Sequence, residues 1–400
     1  MPVALLPSPT MAAVPSPHLP RYRDRSLADL VPSLLASLGV AGEEDRLDLG
    51  EASAACLLVI DGLGHEQLRE HADLAPTLSA TLREPMTTGF PSTTAASLSS
   101  IGTGLPPGEH GLVGYTMAVP GQDRAMNVLL WELYGHGPKV DLREALVPER
   151  LQPITTAFER AVAAGVPVTL VGPRQHAGSG MTRAALRGGR YRPAFGLGDL
   201  VAEAVTGLSP AGSTRALVYA YHPDLDLIGH VRGTASVAWG LQLTQLDGMV
   251  AAFAERLPAG ALLIVTGDHG MVNVGDGDRI DVDDIEGLMT GVRLIAGEPR
   301  ARHVHVRDGA RDEVAAAWRE ALGDRFWVAT RDEAVVAGWF GPTVLERVGG
   351  RIGDLVVASR GSQVLVQRSV DPLQAALLGH HGSLTRAEQL VPLAVLRGPE

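Results

Sequence analysis

Four runs of strand length are apolar from end to end: 54–60 (AACLLVI), 167–171 (PVTLV), 216–221 (ALVYAY) and 261–266 (ALLIVT). A strand with one wetted face alternates apolar and polar residues, whereas a run without alternation has no wetted face. Such strands need cover on both sides. Gly62-Leu63-Gly64 opens a helical stretch after the first run, and 235–257 has helical periodicity and length. Apolar strands alternating with helices predict an α/β fold, a mostly parallel central sheet with helices on both faces.

A chain of 400 residues suits one large α/β core with a smaller inserted domain. From about 280 the pattern changes. Strand-like runs at 292–296, 303–306 and 326–329, with helical stretches near 312–322 and 332–337, describe a compact unit of split-βαβ type. The expected partition is a flexible Pro/Ser-rich tail over 1–25, a catalytic core over 26–279 and 346–400, and a small inserted α+β subdomain over 280–345.

Composition narrows the function. Apolar residues make up 45% and charged residues 20%, so a sizeable core is available. The net charge of -11 argues against binding a nucleic-acid polymer or an anionic membrane. A small phosphorylated substrate stays open, because bound metals reverse the local charge. Cys56 is the one cysteine, which excludes an intrachain disulfide, and its apolar run makes it a core residue. The first residues are broken by prolines and lack a basic start, and no stretch reaches the roughly 18 apolar residues of a membrane span. A cytoplasmic location is expected.

Acidic and histidine residues cluster where strands end. Asp61 follows the first run, and ligands of open α/β sheets bind beyond the carboxyl ends of strands. After 216–221 come Asp224, Asp226 and His230; Asp226 and His230 make a D-x-x-x-H spacing, an oxygen and nitrogen pair that suits Zn²⁺. After 261–266 come Asp268 and His269 between glycines, which permit the irregular backbone that would let neighbours converge. His380 and His381 also sit between glycines. The segment Phe90-Pro91-Ser92-Thr93-Thr94 reads as a loop entering a helix, whose free N–H groups suit a phosphate oxygen. Taken singly, each position is explained as well by helix capping or by a surface turn.

Taken together and in order they resemble a known family. The strand ending in Asp61, F-P-[ST]-x-T at 90–94, Thr103-Gly104, P-x-x-H-G at 107–111, D-x-x-G-H at 226–230, D-H-G-M at 268–271 and the late His381-Gly382 resemble the alkaline phosphatase superfamily, in its nucleotide pyrophosphatase/phosphodiesterase-like branch. The resemblance implies an alkaline-phosphatase-like fold and a metal-dependent phosphoester hydrolase of the phosphodiesterase/nucleotide pyrophosphatase type. It implies two Zn²⁺ ions, with Mn²⁺ or another divalent metal as alternative occupants. Asp226, His230 and His381 are then one ligand set, and Asp61, Asp268 and His269 the other, facing the Thr94 nucleophile. His381 is preferred to His380, and Thr94 to Thr93, by position in the motifs; Asp226 is preferred to Asp224. A phospho-threonine intermediate and net retention at phosphorus follow.

Two positions depart from that pattern. Ser97 stands where an asparagine is expected to contact the phosphate, so Ser97 is the candidate contact. Ala95 stands where the branch often has an aromatic that stacks on a nucleobase, and aromatic content is only 4%. His110 matches a family segment without a ligand role. Rivals on the same fold are a phosphomonoesterase, which needs a basic group such as Arg174 or Arg183, and a phosphomutase using Ser92 or Ser97. A sulfatase lacks its C/S-x-P-x-R setting. A catalytically inactive metal- or phosphate-binding protein is the rival of another class.

Overall fold

The 54–60 run lies inside a six-stranded sheet. A computed structural model describes residues 16–399. Along the chain the sheet takes β1 (Ala54–Ile60), β2 (Val168–Pro173), β3 (Arg190–Ala194), β4 (Ala216–His222), β5 (Ala261–Thr266) and a closing strand, Ala394–Arg397. In space the order is Ala394–Arg397, β5, β1, β4, β2, β3. Every pairing is parallel except that of the closing strand with β5.

The uninterrupted apolar runs are explained by what lies on each face. Ala55, Leu57 and Val59 of β1 enter one core cluster, while Ala54, Cys56, Leu58 and Ile60 enter another. The same two-residue split divides Leu217 from Val218 and Leu262 from Leu263. Helices α1 (Leu27–Ser37) and α2 (Thr94–Thr103) cover the first face through Leu30, Leu34, Leu98 and Ile101. Helices α3 (Leu197–Leu208), α4 (Asp224–Arg232) and α5 (Val237–Ala254) lie on the second, through residues such as Ala204, Leu225 and Trp239. The fold is therefore mixed α/β with a mostly parallel sheet covered on both faces. Burial pushes the Cys56 thiol far up, so it stays protonated within the core.

A second, four-stranded sheet holds β6 (Val292–Glu298), β7 (Ala301–Val306), β8 (Phe326–Thr330) and β9 (Leu355–Ser359), in the spatial order β6-β7-β9-β8 and antiparallel throughout. Helix α6 (Arg311–Leu322) covers one face with Val314, Trp318 and Leu322. The other face turns to the main core through Ala301, Val356 and Ala358. The expected partition needs correction here, because β9 lies beyond 345 and yet sits between β7 and β8. Its residues are all buried, so it reads like a core strand. A parallel pairing of Arg279–Asp281 with Val364–Val366 extends the inserted region further.

The expected tail over 1–25 falls partly outside the described residues. From Arg21 onward the chain is pinned. The Arg21 backbone N–H donates to Thr87 Oγ1 at 2.7 Å, and Tyr22 donates to the Trp339 carbonyl at 2.8 Å while accepting from the Phe90 N–H at 3.0 Å. Among the described residues, no helix is long and apolar enough to cross a membrane.

One buried ion pair ties the inserted sheet to the core. Arg300, in the β6–β7 turn, donates to both oxygens of Glu388 at 2.6 and 2.8 Å, and both side chains are 0% exposed. Arg300 also donates to the carbonyls of Gln363 and Gly361, and Glu388 accepts from the Ser383 N–H and the Thr385 hydroxyl. Every strong donor and acceptor is matched, which a buried pair requires. Glu388→Gln leaves the guanidinium charge buried without a counter-ion. It is expected to lower the unfolding free energy by about 3–5 kcal/mol in urea titrations.

Candidate metal centre

Register brings the chemistry-bearing residues to one edge. Ile60 pairs with His222 and Val59 with Thr266, so β1, β4 and β5 end side by side. Asp61 follows β1 directly, and its N–H donates to the His222 carbonyl at 2.9 Å. Asp226 lies in the first turn of α4 and His230 one turn later on the same face, with Nε2 3.3 Å from an Asp226 oxygen. Asp268 and His269 leave β5 through Gly267. Gly62 lets α4 come close: its φ is +73°, and a Cβ there would stand 2.9 Å from Asp226 Cα and Cβ.

Three imidazoles face these carboxylates, and each is oriented in the same way. The Nδ1 of His230, His269 and His381 sits 2.7, 3.1 and 2.9 Å from the carbonyls of Gly379, Gly270 and Ser92. A carbonyl only accepts, so Nδ1 carries the proton and Nε2 turns its lone pair to the centre. This is how metal-ligating histidines are usually held. The rings of His269 and His381 stack at 3.5 Å and 13°.

Ligand atoms within 4.8 Å of one another form two groups, Asp226 with His230 and His381, and Asp61 with Asp226 and His269. Asp226 therefore faces both. Asp268, expected in the second set, gives one oxygen to the N–H groups of Gly62 and His269 at 3.0 and 3.1 Å. Its other oxygen lies 3.5 Å from His269 Nε2. That oxygen and Asp226 Oδ1 are buried with no hydrogen-bond partner among the described residues. Unpaired carboxylate oxygens beside three imidazole lone pairs fit divalent cations, and the mixed O/N donors suit Zn²⁺. Asp224 stays outside, exposed and 3.6 Å from His222. His380 points Nε2 at the Leu377 carbonyl.

The electrostatics match this reading. Burial, with Asp268 and Asp226 as like charges nearby, pushes the Asp61 carboxyl well above the usual carboxylate range. Burial also acts upward on Asp226, but His230, then His381 and His269, hold it below the ordinary value. Burial lowers His230, yet Asp226 outweighs it and the net shift is upward. Burial and the neighbouring His269 push His381 well down. Tyr221 donates to the second oxygen of Asp61, a partner sequence reasoning did not identify.

Thr94 begins α2, with Oγ1 3.3 Å from His269 Nε2 and 3.5 Å from Asp61 Oδ1. Ser97 is the expected phosphate contact. It is fully buried, its hydroxyl pairs with Thr88 Oγ1 at 2.6 Å, and it lines neither cavity beside Thr94. One helical turn past Thr94, its short side chain reaches the loop behind the helix. His110 bridges Ser100 and the Leu112 N–H, with its pKa lowered to about 3 by burial.

Two cavities flank Thr94. One, of about 590 Å³, is mainly apolar and includes Leu98, His176, Tyr191, Tyr219 and Tyr221. An aromatic wall therefore exists despite the low aromatic content, because Tyr191, Tyr219 and Tyr221 converge from two strands. The other, of about 430 Å³, holds Asp226, His230 and His381 together with Tyr115, Glu298 and Gln374. Among the described residues, no lysine or arginine lines either. Arg183 pairs with Glu149 at 2.8 Å, and Arg174 lines a neighbouring cavity.

Residues 55–384 match the family described as type I phosphodiesterase / nucleotide pyrophosphatase. Among solved structures, human ectonucleotide pyrophosphatase/phosphodiesterase 5 is similar at TM-score 0.64 and 19% identity, covering 86% of this chain and 88% of that one. An inactive form of the murine protein in complex with AMP gives TM-score 0.61 and 18% identity, with 86% and 88% covered. Phosphonoacetate hydrolase from Sinorhizobium meliloti, in complex with phosphonoformate, gives 0.63 and 21%, with 86% and 90% covered. No curated protein matches the chain.

Two outcomes test the centre. Gly62→Ala is expected to displace Asp226 and lower bound metal per chain, read by elemental analysis. Protonated Asp61 and doubly protonated His230 cannot ligate, and both groups have pKa values above their ordinary ones, so metal affinity is expected to fall with falling pH already through the histidine range. Metal content measured across equilibrium dialysis at stepped pH checks the sign.

Proposed function

Because the chain belongs to the type I phosphodiesterase / nucleotide pyrophosphatase family, whose members are phosphoester hydrolases, we propose that it cleaves phosphodiesters or pyrophosphates by double displacement through Thr94. The observation that carries this reading is the Thr94 hydroxyl, buried within 3.3–3.5 Å of His269 and Asp61 at the start of a ten-residue helix. Asp226, His230 and His381 would hold one cation. Asp61, Asp268 and His269 would hold the other, with Asp226 facing both. Two such cations, taken as Zn²⁺, supply charge that makes a hydroxyl nucleophilic and stabilises phosphoryl oxygens.

The chain's own groups do the rest. Thr94 Oγ1 gives up its proton and attacks phosphorus in line, the P–O bond to the leaving alkoxide or phosphate breaks, the leaving oxygen takes up a proton from water as needed, and phospho-threonine forms. Free N–H groups in the first turn of α2 point at the phosphoryl oxygens. Tyr221 and the Asp268 amide bonds fix the carboxylates around the nucleophile. Water then displaces Thr94 from phosphorus, and two inversions give net retention.

The lining of the cleft favours a diester. A monoester dianion, or a phosphonate with a second carboxylate, brings a charge that no lysine or arginine in either cavity meets. The Tyr191–Tyr219–Tyr221 wall accepts an apolar or aromatic group on one side of phosphorus, which keeps nucleotide esters among the candidates.

Chelated protein is expected to lose hydrolysis of bis-p-nitrophenyl phosphate and to regain it with Zn²⁺; full activity after thorough chelation would overturn the two-cation reading. Thr94→Ala is expected to abolish phospho-enzyme and to cut kcat by on the order of 10³ or more. Labelled phosphate on quenched enzyme reads the first effect.

A further inference from the structure

The cleft contains one buried carboxyl that this chemistry leaves unused. Glu298 ends β6 at the turn into β7 and is 3% exposed. It shares a cavity with Asp226, His230 and His381, but it joins neither ligand group. Its Oε2 accepts from the Tyr115 N–H at 2.9 Å, while Oε1 is buried with no hydrogen-bond partner. Among the described residues no cation pairs with it: the nearby Arg302 gives its Nε to the Leu365 carbonyl.

The carboxyl is held in place rather than left to drift. Gly382, next to His381, has φ +133°, and a Cβ there would stand 2.7 Å from Glu298 Cγ. Two residues along the turn, Arg300 is locked to Glu388. A buried polar atom without a partner destabilises the fold. A fixed, unpaired polar atom in a substrate cleft is the expected form of a site whose partner arrives with the ligand.

We propose that Glu298 determines specificity by hydrogen-bonding a hydroxyl on the substrate's organic group, which makes phosphoesters of hydroxylated alcohols the preferred class. The proposal rests on the phosphoester reading above. The chemistry of the pocket selects a hydroxyl. A second anion meets a carboxyl and no lysine or arginine. An ammonium would lie beside the centre that gathers divalent cations. A hydroxyl pairs with a carboxyl in either protonation state, and Tyr115 and Gln374 line the same cavity with further polar groups.

The test uses competitive inhibition of bis-p-nitrophenyl phosphate hydrolysis by the zinc-loaded enzyme. Glycerol 3-phosphate and propyl phosphate carry the same phosphate and differ in the two hydroxyls. Wild type is expected to bind glycerol 3-phosphate at least about tenfold more tightly. Glu298→Met, similar in volume without the polar head, is expected to bring the two inhibition constants within about twofold. Glu298→Gln, which can keep the bond from Tyr115, is expected to give an intermediate ratio. Equal inhibition in wild type, a wild-type ratio in both variants, or loss of bis-p-nitrophenyl phosphate turnover in both overturns the proposal. Failure of wild type to hydrolyse bis-p-nitrophenyl phosphate overturns the phosphoester reading instead.

Discussion

The structure depends on one register. β1 lies between β4 and β5, parallel to both, and Ile60 stands opposite His222 as Val59 stands opposite Thr266. Three strands therefore release their chains at the same height, and the residues that follow must share a small volume. A slip of one residue would turn Leu57 and Leu58 to each other's core and move Asp61 off the edge. The apolar split of β1 between two cores fixes the alignment, so hydrophobic burial far from the cleft sets the spacing of its polar groups.

That convergence has an electrostatic cost. Asp61, Asp226 and Asp268 are drawn together with little water, and Asp61 responds by holding its proton more tightly. The backbone offers partial relief through the amides of Gly62 and His269, and Tyr221 adds one donor. Two carboxylate oxygens still have no partner. The carbonyls behind the three histidines settle which imidazole nitrogen faces inward, so the centre is arranged before any cation binds.

Much of this was readable from sequence, for reasons that particular residues make plain. Strands buried on both faces announce themselves as unbroken apolar runs, and polar residues directly after them stand out. Asp61, Asp226, His230 and His269 are noticeable for that reason. Other features follow from placement in space. Glu298 and Tyr115 lie 183 positions apart and meet only because β6 packs beside the segment at Tyr115. The aromatic wall draws Tyr191 from β3 and Tyr219 and Tyr221 from β4, where the tyrosines read as ordinary strand residues. Ser97 is suggested by a motif position, and the helix turns its hydroxyl toward Thr88. β9 falls in the stretch 346–400 expected to be core, and its pairing assigns it to the inserted sheet.

The Arg300–Glu388 pair joins the β6–β7 turn to the stretch of chain that carries His381. It makes the inserted region a poor candidate for exchange between relatives as a detachable cassette. A graft that changed the turn would arrive with its own lining for the cleft and would also disturb the footing of a histidine in the centre. Diversification of this scaffold is then expected to proceed by side-chain replacement at positions such as Glu298 and Tyr115, with the lengths of the two joined segments inherited together.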